Sequence, residues 1–125
     1  MLKTVAIAKR PGSKLDNLFN TQLGFQKNIT GEAHLPKDSI EWASYHLLAL
    51  QEEVGEVLKA DKRWKTHRNE HYDPENKLEE LADVFITTMN IAIFSGFSSQ
   101  DVYNEIIRKI AENNEKLRRS RLNVR

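Results

Sequence analysis

Apolar side chains recur at helical spacing in four segments of the chain, and polar stretches separate these segments. Spacings of three and four residues place such side chains on one side of a helix. The chain carries almost no strand signal. The expected helices run from Asp16 to about Ile29, from Asp38 to about Lys62, from about Glu75 to Ser95, and from Ser98 onward. The pattern predicts an all-α bundle of four helices.

Helix-start and helix-stop residues support these boundaries. Asp38, with Glu41 three residues later, has the spacing of a capping box, and so does Ser98 with Asp101. Gly31 and Gly96 follow the first and third segments, where glycine commonly ends a helix.

The second and third helices each carry a continuous apolar stripe, which we expect to form the core. On the second helix the stripe consists of Ile40, Ala43, Leu47, Leu50, Val54, Val57 and Leu58. On the third helix it consists of Leu78, Leu81, Ala82, Phe85, Met89 and Ile93.

Both helices also carry a second line of residues, far around the helix from the apolar stripe. On the second helix this acidic line contains Trp42, His46, Ala49, Glu53, Glu56 and Ala60. On the third helix it contains Glu80, Asp83, Thr87, Asn90 and Phe94. Because acids are mixed here with small and aromatic residues, we expect a partly buried second surface.

If the two acidic lines face each other, four carboxylates share one poorly solvated space: Glu53, Glu56, Glu80 and Asp83. Two like charges about 4 Å apart repel by roughly 4 kcal/mol at an effective dielectric constant near 20. Two divalent cations would balance the four charges. Ligation by oxygen alone selects a hard cation, and the chain lacks the Glu-x-x-His motif of di-iron bundles. We therefore expect Mg²⁺, with Mn²⁺ as a possible substitute.

Composition limits the organisation of the chain. Its 125 residues, 39% hydrophobic and 30% charged, fit a single folded domain over 1–125, with an N-terminal arm at 1–14 and a basic tail at 119–125. The net charge of +1 selects neither nucleic acid nor a membrane surface. The chain has no cysteine and no apolar run long enough for a membrane span, and we expect a cytoplasmic protein.

Glu53-Val-Gly-Glu56, a gap of 23 residues and Glu80-Leu-Ala-Asp83 resemble the paired acidic signature of the all-α nucleoside triphosphate pyrophosphatases. This superfamily includes the MazG-like enzymes, the dCTP pyrophosphatases and the dimeric dUTP pyrophosphatases. The similarity extends over roughly residues 18 to 119 and includes "RWK", "ELADVF" and "NEKLRRSR". It implies a four-helix core that assembles as a homodimer or homotetramer and splits a nucleoside triphosphate into the monophosphate and pyrophosphate.

The resemblance also implies roles for individual residues. Glu53, Glu56, Glu80 and Asp83 would hold Mg²⁺, and Glu53, Glu56 or Glu52 would activate the attacking water. Candidates for binding phosphate lie on the fourth helix: Lys109, Asn113, Asn114, Lys116 and Arg119. The alignment there is ambiguous by one residue, because Lys109 with Asn113 fits the dCTP pyrophosphatases whereas Asn114 with Lys116 fits the MazG-like enzymes.

Candidates for binding the base are Gln22, Trp42 or Tyr45, and Trp64 with Lys65. Gln22 matches a glutamine of the dimeric dUTP pyrophosphatases. Ile86 stands where these enzymes typically carry a histidine, and Thr87 stands where the dCTP enzymes carry a tyrosine. The resemblance therefore leaves dUTP and dCTP open as substrates, within nucleotide-pool sanitation or dUTP/dCTP control.

Two other functions are compatible with the sequence. The C-terminal "KLRRSRLNVR" contains five basic residues and no acid, as a nucleic-acid-binding segment would. A degenerate site that binds nucleotides without hydrolysing them is the other function, and a purely structural bundle is a further alternative. Because the whole chain carries a charge of only +1, we expect a nucleoside triphosphate, rather than nucleic acid, as the partner.

Overall fold

A computed structural model describes residues 13–32, 38–65 and 71–123. Within these ranges the chain forms four α-helices and a short 3₁₀ turn, and no strand occurs there. The helices are α1 (Lys14–Thr30), α2 (Ile40–Ala60), α3 (Pro74–Phe94) and α4 (Ser99–Asn123), and the 3₁₀ turn is Lys62–Trp64. The all-α, four-helix prediction is confirmed.

The structure describes little of the predicted N-terminal arm and most of the predicted basic tail. Of the predicted N-terminal arm, residues 1–12 lie outside the described residues, while Ser13 caps α1 and Lys14 begins it. Most of the predicted basic tail continues α4, which ends at Asn123.

Side-chain caps fix the helix starts. The Ser98 hydroxyl accepts a bond from the Asp101 N–H at 3.1 Å, and the Asp101 carboxylate accepts one from the Ser98 N–H at 2.9 Å, as predicted. The predicted cap of α2 is wrong by one residue. Ser39, not Asp38, is the cap, and its hydroxyl accepts the Trp42 N–H at 3.4 Å. Asp38 instead adopts a positive φ of 48° in the preceding turn.

Helices α2 and α3 pack against each other along most of their length in antiparallel directions, while α1 lies against α3 and α4. The Ser39 N–H donates to the Phe94 carbonyl at 2.8 Å, which ties the start of α2 to the end of α3. The acidic lines of α2 and α3 form the contact between these helices. His46, Ala60, Thr87, Asn90 and Phe94 from these lines are all buried, and the predicted second surface is therefore confirmed.

The prediction that the apolar stripes form the core is wrong at most positions. Among the described residues, the buried hydrophobic side chains are Phe19, Ala60, Ile93 and Phe94, and of these only Ile93 belongs to a stripe. Ile40 is 80% exposed and Phe85 is 66% exposed. Helical spacing shows which side chains share a face, but it does not show whether the same chain covers that face.

We call one set of exposed apolar side chains on α2, α3 and α4 the outer apolar surface. Its members are about half-exposed or more, except Leu81 at 37%, and they lie on three helices: Leu47, Val54, Leu58, Leu78, Leu81, Phe85, Ile106, Ile110 and Leu117. No single helix in the described ranges is long and apolar enough to cross a membrane, although α3 with α4, bent by 113° between them, together reach that length and hydropathy.

Candidate functional site

Three of the four predicted metal ligands converge between α2 and α3. Glu53 of α2 and Glu80 and Asp83 of α3 each offer a carboxylate oxygen, and these atoms lie within 4.8 Å of one another. The antiparallel packing of the two acidic lines brings them together. We call this group the acidic triad.

The surroundings of the acidic triad disfavour its negative charge. The pKa of the Glu53 carboxyl is raised above its usual value, first because burial removes water from the charged form. Repulsion from Asp83, Glu80, Glu56 and Glu52 raises it further. A divalent cation among these oxygens would relieve both effects.

Glu56 and Glu52 lie beside the acidic triad rather than within it. Glu56 forms an ion pair with Lys59 at 3.5 Å, and both side chains are exposed. Glu52 is exposed as well. Both residues line one pocket with Glu53, Gly55 and Lys59. Glu56, the fourth predicted metal ligand, is therefore adjacent to the acidic triad but does not belong to it.

The donor set of the triad fits the predicted cation. All three residues provide carboxylate oxygens, which suit hard cations such as Mg²⁺ and Mn²⁺. Three closely spaced acids with a raised pKa on one of them also fit a site that binds its ion upon losing a proton.

Amide side chains meet farther along α3. The Asn90 Oδ1 atom accepts bonds from Gln22 Nε2 at 2.7 Å and from Gln26 Nε2 at 3.1 Å. Gln26 and Asn90 are buried, and Gln22 is partly exposed. The predicted base-binding residue Gln22 is thus held by a bond that crosses from α1 to α3.

Aromatic rings pack around Phe94, one turn of α3 beyond Asn90. Trp42 stacks on Phe94 at 5.4 Å between ring centroids, and His46 stacks on Phe94 at 5.2 Å. Burial lowers the pKa of His46, which favours the neutral imidazole. Its buried Nε2 atom has no hydrogen-bond partner among the described residues. Trp42, also a predicted base-binding residue, lies at this aromatic cluster.

The acids and the amides share one face of α3. Asp83, Thr87, Asn90 and Phe94 follow one another along it, one turn apart. A rise of 1.5 Å per residue puts Asn90 about 10 Å from Asp83 along the helix axis. The candidate cation site and the Gln22–Asn90 amides thus lie in line along α3.

The other predicted base-binding residues lie at the opposite end of α2. The Trp64 indole N–H donates to the Leu58 carbonyl at 2.7 Å, and the Lys65 ammonium lies 5.4 Å from the Trp64 ring centroid. Leu58 is about 24 Å from Trp42 along the helix at 1.5 Å per residue. Within one chain, the predicted base-binding residues therefore cannot all contact one base.

The predicted phosphate-binding residues on α4 are not brought to the acidic triad within one chain, because α4 packs mainly on α1 among the described helices. Lys109 and Lys116 pair with Glu112 at 4.0 and 3.2 Å, and Arg119 pairs with Glu115 at 3.1 Å. Asn113 and Asn114 are exposed on the same helix. These ion pairs within the helix offset much of the positive charge that a nucleic-acid-binding face would need.

The sequence prediction did not assign Asn90, Gln26, Phe94 or His46 to a site. Asn90, Phe94 and His46 were recognisable as members of the acidic lines. The partnership of Gln26 with Asn90 was not recognisable, because 64 residues separate the two in sequence.

Comparison with known proteins agrees with this geometry. A family model described as dUTPase matches residues 14–120, which is most of the chain. Searches of curated proteins and of solved structures gave no match. The matched region contains the acidic triad, the amide group and the aromatic cluster. The chain therefore belongs to the all-helical dUTPase family of nucleotide hydrolases.

Proposed function

We propose that this protein is a Mg²⁺-dependent pyrophosphohydrolase that converts dUTP and water to dUMP and pyrophosphate, and so limits dUTP in the nucleotide pool. The observation that carries the proposal is the common axis of the acidic triad and the Gln22–Asn90 amides along α3. One end of this axis suits a metal-bound triphosphate, and the other suits a base.

Glu53, Glu80 and Asp83 would hold the metal. When bound, Mg²⁺ supplies charge neutralisation for the phosphates and acidifies nearby water. Water attacks the α-phosphorus, the bond to the bridging α–β oxygen breaks, and pyrophosphate leaves. Glu56 is the best-placed proton acceptor for this water, because it lines the same pocket as Glu53 but lies outside the acidic triad. Glu52 and Glu53 are the other candidates.

Uracil is the base that the amides suit. Uracil presents an N–H donor between two carbonyl acceptors, and a carboxamide offers both an acceptor and donors. Gln22 is tied to Asn90 by one N–H, which fixes the orientation of its amide. The ring of Trp42, partly exposed and stacked on Phe94, provides a flat surface one turn of α3 beyond Asn90.

A homo-oligomer belongs to the proposal. The members of the outer apolar surface come from α2, α3 and α4, and a monomer rarely leaves so many large apolar side chains uncovered. A second copy packed on this surface would bury them. Because α4 does not reach the acidic triad of its own chain, a phosphate-binding role for Lys109 or Arg119 would require α4 of another copy.

The direct test of the activity is a screen for pyrophosphate release over the common dNTPs and NTPs. We expect dUTP to be the best substrate, EDTA to abolish turnover, and Mg²⁺ or Mn²⁺ to restore it. Nucleotide binding without pyrophosphate release from any substrate would favour a non-catalytic binding protein. Binding to DNA with a steep salt dependence, without turnover, would favour the alternative of a nucleic-acid-binding protein.

The base assignment predicts that Gln22→Met narrows the preference for dUTP over dCTP by about 10- to 100-fold. Methionine keeps the length of the side chain but cannot pair with the base, and an unpaired polar group costs about 1–3 kcal/mol. The measurement is the ratio of kcat/KM values for the two substrates. Gln51→Met, at an exposed position of α2, is the matched control. An unchanged ratio in Gln22→Met would remove Gln22 from base recognition.

A further inference from the structure

Asp61 joins the end of α2 to the start of α3. Its Oδ2 atom accepts the Lys77 ammonium of α3 at 2.7 Å and the Arg63 guanidinium at 2.7 Å. Its Oδ1 atom accepts Arg63 Nε at 2.8 Å. These bonds hold the pKa of the Asp61 carboxyl well below its usual range, so the carboxylate stays charged. We call the contact of Asp61 with Lys77 the Asp61–Lys77 bridge.

Neighbouring contacts hold the bridge in place. The Arg63 guanidinium lies 3.8 Å from the centroid of the Tyr72 ring, just before the capping residue of α3. The Trp64 indole N–H caps the Leu58 carbonyl at the end of α2. The chain that leaves α2 is therefore folded back against both helices, and Asp61 is held from two sides.

The bridge lies on the same seam as the acidic triad. Lys77 precedes Glu80 by three residues, which is about 5 Å along α3. Asp61 directly follows Ala60, which is buried on the acidic line that carries Glu53. Along the antiparallel seam, His46 meets Phe94, Glu53 meets Glu80 and Asp83, and Asp61 meets Lys77.

The charges explain why a bridge is needed there. The three carboxylates of the acidic triad repel one another and push α2 away from α3 until a cation arrives. An opposite-charge contact between the same two helices, about one turn from Glu80 on α3, opposes this separation. Asp61, Arg63 and Lys77 together carry one net positive charge, which also offsets part of the negative charge of the triad.

We propose that the Asp61–Lys77 bridge is a positioning device that holds α2 and α3 at the separation a divalent cation requires, so that Glu53, Glu80 and Asp83 converge before the ion binds. The proposal rests on the metal-binding role of the triad, but not on the identity of the nucleotide.

Titration of the metal-free protein with Mn²⁺, followed by calorimetry, tests the bridge. We expect Asp61→Asn and Lys77→Met each to raise the Kd for Mn²⁺ about tenfold, the lower end of the effect of removing a supporting contact. The double variant should be little worse than either single one, and Lys77→Arg should keep most of the affinity. Simple charge removal predicts the opposite for Lys77→Met, because losing a nearby positive charge would tighten cation binding.

Asp101→Asn is the matched control for general loss of stability. It replaces the carboxylate that accepts the Ser98 N–H at the start of α4, away from the seam, and should lower the melting temperature without changing the Kd for Mn²⁺. The inference is overturned if Lys77→Met binds Mn²⁺ as tightly as the wild type or more tightly, or if Asp101→Asn weakens binding equally. If the wild type itself binds no Mn²⁺, the metal role in the proposed function fails first.

Discussion

Glu53→Gln is expected to lower dUTP hydrolysis at least about 100-fold and, at the same time, to raise the melting temperature of the metal-free protein. The substitution removes one of three converging carboxylates, and loss of even a supporting contact at a metal site typically costs 10- to 100-fold. It also removes a charge that burial and four neighbouring acids disfavour. Opposite effects on activity and stability distinguish a metal ligand from a residue that only supports the fold.

The stability effect has a defined dependence on pH. Because the pKa of Glu53 is raised in the folded state, protonation of this carboxyl contributes to the free energy of unfolding. The contribution is complete below about pH 4.5, the usual pKa, and is lost as the pH rises through the raised pKa of the folded state. The metal-free wild type should therefore lose stability toward neutral pH more steeply than Glu53→Gln does. Melting temperatures in EDTA at several pH values measure the difference, and added Mn²⁺ should reverse the order of the two proteins.

Glu79→Gln is the control for this experiment. Glu79 is exposed and directly precedes Glu80, and it lies outside the acidic triad. It should retain nearly full activity and show no gain in stability. If Glu53→Gln keeps its activity, or if Glu79→Gln loses as much, the assignment of the triad as the metal site is incorrect.

Phe85→Glu is expected to dissociate the proposed oligomer. Phe85 is 66% exposed in the single chain and lies in the outer apolar surface of α3. Burial of an unpaired carboxylate between two copies costs several kcal/mol, and each 1.4 kcal/mol weakens association tenfold. Light scattering after gel filtration should show a dimer or tetramer for the wild type and a monomer for the variant at the same concentration.

Asn104→Glu adds the same charge on the polar side of α4, next to Glu105 and Arg108, and should leave the oligomer intact. If α4 of a second copy completes the phosphate site, Phe85→Glu should lose activity together with assembly. A wild-type protein that is monomeric at all concentrations, or an oligomer that tolerates Phe85→Glu, would contradict this packing.

The sequence was sufficient for the elements and for the convergence of three of the four predicted acids. Helical spacing and local caps depend on neighbours a few residues apart, which explains why the four helices and the pair of Ser98 with Asp101 were predictable. The acidic lines were predictable for the same reason. The cap of α2 was misplaced because Asp38 and Ser39 are both good capping residues, and only the backbone conformation distinguishes them.

The sequence was not sufficient to show which side of α2 and α3 faces inward. A helix with two different sides can bury either one, and the choice depends on what else covers it. The contacts of Gln22 with Asn90 and of Asp61 with Lys77 join residues 68 and 16 positions apart, and no local pattern indicates them. The position of α4 likewise depends on packing that helical spacing does not encode.

If the proposed oligomer covers Leu47, Phe85 and Ile106, which point outward in the single chain, folding depends on how many copies are present. When most large apolar side chains are covered only by another copy, dilution favours the unfolded chain, and stability grows with the logarithm of protein concentration. In a cell that has just begun to synthesise this chain, the folded fraction would be small and would climb faster than the amount of protein made. Expression level would then act as a threshold for the enzyme.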